Sequence, residues 1–236
     1  MKQFSNLYIF CFSSALVLMA AAILSFASMA LKDKQNENIE IERQQNILAS
    51  LGVESTTADA LTKFPQYVRQ SLAVKADGTI VDGKTAEDVD LKKENKKPVK
   101  ERELPLYIAE RNGKRFVVVP VLGNGMWGAI WGNVALENDM NTIYGVNFDH
   151  EGETPGLGSQ IATQGFRRHF QNKKLFDRSN RFVSIKVEKQ GSYKPNDHTV
   201  DAISGGTITS KALETMLKNS LEPYQTYFSK HKSNQE

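Results

Sequence analysis

Three glycine-rich segments hold the residues of this chain best placed for chemistry. Asp201-Ala-Ile-Ser-Gly-Gly-Thr-Ile-Thr-Ser210 sets a Gly-Gly pair directly ahead of hydroxyl side chains and Lys211. Gly205 and Gly206 permit a tight turn that brings amide donors to an anion. Thr209 or Ser210 suits the cap of a helix starting there, whose free N–H groups favour a negative ligand, and Lys211 adds a cation. A plain Gly-Gly turn with an N-cap has the same composition, and local chemistry does not separate the two. Glu151-Gly-Glu-Thr-Pro-Gly-Leu-Gly158 gathers turn formers around one apolar residue. Pro155 fixes its own φ, while Gly156 and Gly158 permit left-handed backbone or close approach. Such a loop can lay amides and Leu157 against a flat ring. It equally suits a tight connection into a helix, with Glu153 or Thr154 near the helix start.

Gly123-Asn-Gly-Met-Trp-Gly128 matches the dinucleotide pattern GxGxxG literally, with Asp149 near the expected distance. The context is wrong: residues 129–136 read as a strand, not as the helix whose N-terminus must meet a pyrophosphate, and Trp127 puts a bulky ring in the turn. A glycine turn exposing Met126 and Trp127 beside a ligand fits better, with buried tryptophan packing as the alternative.

Other chemistry is sparse. His150, His169, His198 and His231 have no companions at metal-ligand spacing and no HExxH pattern, so no metal is expected. No G-x-S-x-G elbow favours a Ser–His–Asp triad. The basic residues Arg167, Arg168, Lys173 and Lys174 read as a solvated or partner-facing patch. The single cysteine, Cys11, excludes an intrachain disulfide, a CxxC redox pair and any Cys-ligated zinc or iron–sulfur site held by this chain alone. Redox chemistry here must come from a bound group.

The elements that position these segments follow from pattern. The chain has 236 residues, with 30 Lys+Arg against 27 Asp+Glu, a balance that argues against a strongly basic nucleic-acid binder. Residues 3–31 carry no charge, and about 20 such residues at ~1.5 Å rise span a ~30 Å hydrocarbon core. A retained anchor over residues 1–32 is the reading. A signal peptide cleaved after Ser28-Met-Ala30 is the competitor, disfavoured because its apolar region would be too long and its basic region only Lys2. With no ionisable group inside, the span is a tether in membrane lipid rather than an ion conduit. Lys32, Lys34 and Arg43 follow it, which by the positive-inside rule leans the body toward the cytoplasm.

Residues 33–103 read as a connecting region. It has helix formers over 33–50 that can extend the anchor helix, a short helix near 59–72 limited by Pro65, and a solvated charged loop over 75–103. The globular region is expected over 104–236. Strands are read at 115–122, with Pro120 pushing toward an edge or bulge, and at 129–136, 141–148 and 181–188. Helices are read at 158–170 and from Ser210 to about His231. Clustered strands flanked by helices make the fold class α+β, a mixed sheet and helix body behind one transmembrane helix.

Together, the apolar N-terminal helix and the ordered motifs G-N-G-M-W-G, E-T-P-G-L-G and D-A-I-S-G-G-T-I-T-S resemble the NqrC family, the C subunits of Na+-translocating NADH:quinone reductases, over essentially the whole chain. The resemblance implies an FMN-binding domain and a covalent FMN, joined through its phosphate to the threonine that closes an S-G-A-T sequence. The matching positions are Ser204, Gly205, Gly206 and Thr207, with Gly206 in place of the usual alanine. It further implies that Glu153, Thr154, Pro155, Gly156, Leu157, Gly158, Met126 and Trp127 line the flavin. A phosphate esterified to threonine keeps one negative charge, which glycine amides, a helix N-terminus and Lys211 are suited to hold.

By the same resemblance the chain is an electron relay. It takes electrons from an iron centre in neighbouring membrane subunits and passes them to another flavin subunit and finally to ubiquinone or menaquinone. NADH oxidation and sodium transport belong to other subunits. Its partners would be five other subunits and a flavin transferase, and its flavin domain would lie on the periplasmic side of the bacterial inner membrane, against the count of basic residues around the span. The G subunit of ion-translocating ferredoxin-type electron transport complexes is the nearest alternative. The charged insertion and G-N-G-M-W-G favour the quinone reductase. An anchored flavin-binding module outside any respiratory chain is the other alternative.

Overall fold

The structure, a computed structural model, describes residues 5–192 and 194–232; Lys2 and Gln3, at the head of the uncharged run, lie outside them. The chain forms two compact units, residues 1–43 and residues 44–236. The division falls inside the first helix, α1 (Asn6–Ser50). In the first unit, α1 exposes Leu7, Phe10, Leu18, Met19, Leu24, Phe26 and Met29. Its most apolar 18-residue window has a mean hydropathy of 2.4, and the helix is long enough to cross a membrane, consistent with a single-pass segment.

The second unit begins at Gln44, well before the expected start at residue 104. Ile47, Leu48, Leu51 and Val53 are buried against Tyr107, Ala109, Phe116, Val118 and Ala135, together with Phe64 and Tyr67. These apolar side chains are what make residues 44–67 part of the body rather than a connector. α2 (Ala60–Tyr67) carries Pro65 inside it and ends where β1 (Val68–Lys75) starts, so the helix expected to reach residue 72 stops five residues early. Cross-strand pairing overrides helical propensity there: β1 lies antiparallel to β2 (Glu103–Arg111), after the short α3 (Leu91–Glu94).

The charged insertion is folded rather than a loose loop. Asp90 caps α3 by accepting from the amides of Lys92 and Lys93. Glu94, buried, accepts from Lys97 Nζ at 2.8 Å and from the amide of Glu103 at 3.0 Å.

β3 (Lys114–Asn124), β4 (Ala129–Glu137) and β5 (Ile143–His150) complete a five-stranded antiparallel sheet in simple sequence order, β1 to β5. Pro120 therefore sits in the central strand, not on an edge. Pairing between β2 and β3 ends at Tyr107 and Val118, and beyond it the amide of Leu122 donates to Ser220 Oγ. The N–H that proline lacks falls on the side where no ladder partner remains.

Past β5 the expected continuous helix at 158–170 is broken into a 3-10 turn (Gly158–Ala162), α4 (Gln164–Arg167) and a second 3-10 turn (Arg168–Phe170). Thr163 interrupts it in an extended conformation, φ −83° and ψ 146°, and its hydroxyl caps α4. The strand expected over 181–188 shrinks to β6 (Lys186–Glu188), parallel to β7 (Thr199–Asp201). Ser184 has φ 57°, and its amide and that of Val183 both donate to the carbonyl of Leu175, a local turn that defeats the alternation.

α5 (Thr207–Leu221) and α6 (Gln225–His231) follow, joined by a 3-10 turn at Glu222–Tyr224. Leu213, Met216, Leu217 and Leu221 of α5 pack with Val117, Val119, Val121, Ile130 and Val134 on one sheet face, while the end of α1 and α2 cover the other. Tyr224 Oη donates to the carbonyl of Pro105 at 2.6 Å, fixing the C-terminal helices to β2.

Close approach between the end of α1 and β5 depends on Gly145, where an added Cβ would lie 2.5 Å from the carbonyl oxygen of Ser50. Gly145→Ala is expected to destabilise the fold by about 1–3 kcal/mol, as overpacking does. Gly165→Ala, with open space around it, is expected to be neutral or slightly stabilising. Chemical denaturation of the two variants side by side checks both.

Candidate functional site

The three glycine segments meet at one place, and the residue that joins them is Glu153. The segment from 123 to 128 is the hairpin turn between β3 and β4, closed by Gly125 N–H to the Gly128 carbonyl at 2.7 Å. A strand follows it, so the dinucleotide geometry is absent. Gly123 lets α5 approach, since a Cβ there would lie 2.7 Å from Met216 Cβ. The turn presents Met126 and Trp127 outward, 48% and 64% exposed.

The loop after β5 turns at Thr154–Leu157, with Leu157 N–H on the Thr154 carbonyl and Gly156 at φ 75°. Pro155 and Gly156 thus take the two central positions of a type II turn, which demands φ > 0 at the second. Thr154, Pro155 and Gly156 are exposed, and Leu157 stands out at the rim.

The loop before α5 turns at Gly205, φ 73°, with Gly206 N–H on the Ile203 carbonyl. It nests against the second loop: a Cβ on Gly205 would lie 2.8 Å from Leu157 Cδ2, and one on Gly206 3.5 Å from the amide of Gly158. α5 starts at Thr207, three residues before the expected start, and Gly206 is its N-cap residue with no side-chain cap bond. Neither Thr209 nor Ser210 caps it. Ser210 Oγ instead accepts from the amide of Ile203, and Thr209 Oγ1 donates to Glu153 Oε2 at 2.5 Å. Thr207 and Ser204 are exposed, and so is Ile208, at 58%.

Glu153 is buried, and its other oxygen accepts from the amides of Met126 at 2.7 Å and Trp127 at 3.1 Å. Burial pushes its carboxyl pKa up, but the Thr209 hydroxyl, the two amides and His150 together outweigh that and hold it below the ordinary value. Glycines make room: a Cβ on Gly125 would lie 2.3 Å from Oε1, and one on Gly158 2.4 Å from Oε2. Expected as a flavin contact, Glu153 has both oxygens committed to protein donors. Lys211, expected beside the phosphate, pairs with Glu214 at 2.5 Å and is 68% exposed.

His150 Nδ1 accepts from the Glu153 amide, His198 Nδ1 bonds the Lys174 carbonyl, and His231 stacks on Tyr227. Among the described residues no group of three or more His, Cys, Asp or Glu side chains is placed to hold a metal ion.

An FMN-binding domain family model matches residues 125–222, a span that contains the hairpin turn from Gly125 onward, the two later loops and α5. The C subunit of the Na+-translocating NADH-quinone reductase of Vibrio vulnificus is 33% identical over 217 residues, 84% of each chain. That of Haemophilus ducreyi is 30% identical over 234 residues, 90% of each chain. The chain belongs to the NqrC family of Na+-translocating NADH-quinone reductase subunits. The crystal structure of the corresponding C subunit from Parabacteroides distasonis superposes with a TM-score of 0.78 at 36% identity, covering 84% of this chain and 97% of that one. The Shewanella oneidensis NqrC structure gives 0.69 at 28% identity, covering 81% and 96%.

The residues of this NqrC-family chain fit an FMN. An exposed hydroxyl at Thr207 heads a helix whose first-turn amides have no side-chain cap, a setting that favours a phosphate. Met126, Trp127 and Leu157 on the loops and Ile208 on α5 offer exposed apolar surface. Ile208 and the clamping role of Glu153 escaped sequence reasoning. The apolar flank of Thr207 signalled the first; nothing local signalled the second, whose partners lie 26, 27 and 56 residues away.

Because the folded carboxyl of Glu153 is held low, its contribution to stability is present above the unfolded pKa and is lost as pH falls through the folded one. Asp90, Glu94 and Asp177 are held low as well, so acid weakens the fold at several points. Glu153→Gln is expected to be less stable than wild type at pH 7 and to lose less stability between about pH 5 and pH 3, the range in which carboxylates of this kind take up protons. Urea midpoints across that range measure the difference.

Proposed function

We propose that this subunit carries FMN bound covalently through its phosphate to Thr207 and relays single electrons within a membrane-bound NADH:quinone reductase. The observation that carries the reading is the exposed Thr207 hydroxyl at the uncapped start of α5, between the Gly205–Gly206 turn and Ile208. When bound, FMN supplies the redox chemistry. The chain's own residues bind and orient it. The first-turn amides of α5 face the phosphate charge, Ser204, Gly205 and Gly206 shape the approach, and Trp127, Met126 and Leu157 offer flat apolar surface for the ring. The amides of Met126 and Trp127 are taken by Glu153, so those two residues contribute side chains rather than donors. Five other subunits, a flavin transferase and membrane lipid are the proposed partners. The proposed location is the inner membrane with the flavin domain on the periplasmic side.

Gly206 stands where the family's flavinylation sequence usually has alanine, and its surroundings supply a reason. A Cβ there would lie 2.9 Å from Ile203 Cγ2 and 3.1 Å from Ile203 Cβ, so the isoleucine already fills the space of a methyl group. Gly206→Ala is expected to cost about 1 kcal/mol, and Ile203→Ala to make the pair less than additive, which a double-mutant cycle in denaturant measures.

The decisive experiment is flavin fluorescence on a denaturing gel, with the full chain co-expressed with a flavin transferase. Wild type is expected to give a fluorescent band and Thr207→Val none. A dark wild-type band, beside a second substrate that the same transferase labels, overturns the covalent reading and leaves a non-covalent flavin or interaction module.

A further inference from the structure

Glu153 has the properties of a device rather than a ligand. The residue is 4% exposed, and three donors from two other segments converge on its side chain: the amides of Met126 and Trp127 on one oxygen, the Thr209 hydroxyl on the other. The fit is specific to a carboxylate at this reach. Gly125 and Gly158 leave space for its oxygens and for nothing larger, since a Cβ at either would lie within 2.4 Å of one of them. Thr209 is two residues beyond Thr207 on the first turn of α5, while Trp127 is the tip of the β3–β4 hairpin. One carboxylate therefore ties the turn bearing Trp127 to the turn bearing Thr207. The hairpin closes on itself through Gly125 and Gly128, and among the described residues no backbone hydrogen bond links it to the start of α5.

We infer that Glu153 is the positioning residue of the flavin site: its ionised carboxylate sets where the Trp127 turn stands relative to Thr207 and does not touch the cofactor. The inference rests on the flavin reading for its purpose, but the clamp itself is made by protein groups alone. A carboxylate accepts all three donors at once, whereas a glutamine in its place keeps one accepting oxygen and turns a donor toward Thr209. Buried charge-assisted hydrogen bonds are the strong ones, and displacement of a positioning group by about 1 Å is enough to degrade a site it holds.

The test uses the full chain in detergent, in two forms. In the flavin-free Thr207→Val background, amide hydrogen exchange at Met126 and Trp127 is compared for Glu153 and for Glu153→Gln. The glutamine variant keeps an acceptor for both amides but a neutral one, and is expected to exchange about tenfold faster at both, the difference between a charge-assisted and a neutral hydrogen bond. Thr209→Val is expected to accelerate exchange less, and Thr209→Ser to restore wild-type protection. In flavin-loaded chains, Glu153→Gln is expected to label on the denaturing gel as wild type does, while the visible circular dichroism of the bound flavin changes. Unchanged amide exchange in Glu153→Gln overturns the clamp. Faster exchange with unchanged flavin dichroism reduces Glu153 to a fold-stabilising residue and overturns its positioning role. A wild-type chain that takes no label and binds no free FMN refutes the flavin reading and with it the purpose assigned here, while the exchange data still decide the clamp.

Discussion

One buried carboxylate organises the functional end of this protein. Glu153 stands at the junction of three turns; two of them bend at a glycine with positive φ, Gly156 and Gly205, and the third is the hairpin turn closed between Gly125 and Gly128. Loops of that kind have few internal bonds and would sample many arrangements. A buried anion requires its donors, and an unpaired one is costly, so the three segments have a single arrangement that satisfies it. The hairpin of β3 and β4, the loop after β5 and the start of α5 are thereby brought into register by one group, although they come from distant parts of the chain.

The sheet supplies the rigid reference for that junction. Its strands follow one another in sequence order, and the two faces are closed by helices of different origin. α5 covers one face with Leu213, Met216, Leu217 and Leu221 and carries Thr207 on its first turn. The same helix thus anchors the core and carries the exposed Thr207 at its start, with no flexible segment between the two. Ser220 adds a polar tie by accepting from the Leu122 amide, where the β2 ladder has ended.

What was legible in the sequence was local. The Val-rich runs of β3, β4 and β5 announce strands, the uncharged N-terminal run announces a helix, and the Gly205–Gly206 pair ahead of hydroxyls marks the start of α5 within three residues. What failed did so where distant contacts decide. Residues 68–72 look helical until β2 recruits them into β1. Residues 181–188 alternate correctly, yet Val183 and Ser184 both turn to Leu175. Pro120 looks like an edge marker, and is central because β2 stops short of it. The exposure of Thr207, Trp127 and Leu157 on glycine-rich turns was readable from their motifs. Glu153 was read as part of the site loop, but its burial and its three long-range donors were not legible, since neither is written in its neighbours.

The division of the chain inside α1 bears on how fragments of this protein behave. The end of that helix, with Ile47 and Leu48, is core to the second unit, and Gly145 is shaped to receive the carbonyl of Ser50. A soluble fragment cut just after the apolar run, near Lys32, retains every residue of that unit. One cut at residue 104 discards the lid over Tyr107, Phe116 and Val118 and strips β1 from β2. It leaves an apolar face and an open strand edge of the kind that recruits other chains. The boundary that sequence composition suggests for the folded body is therefore the one that would expose a fragment to aggregation.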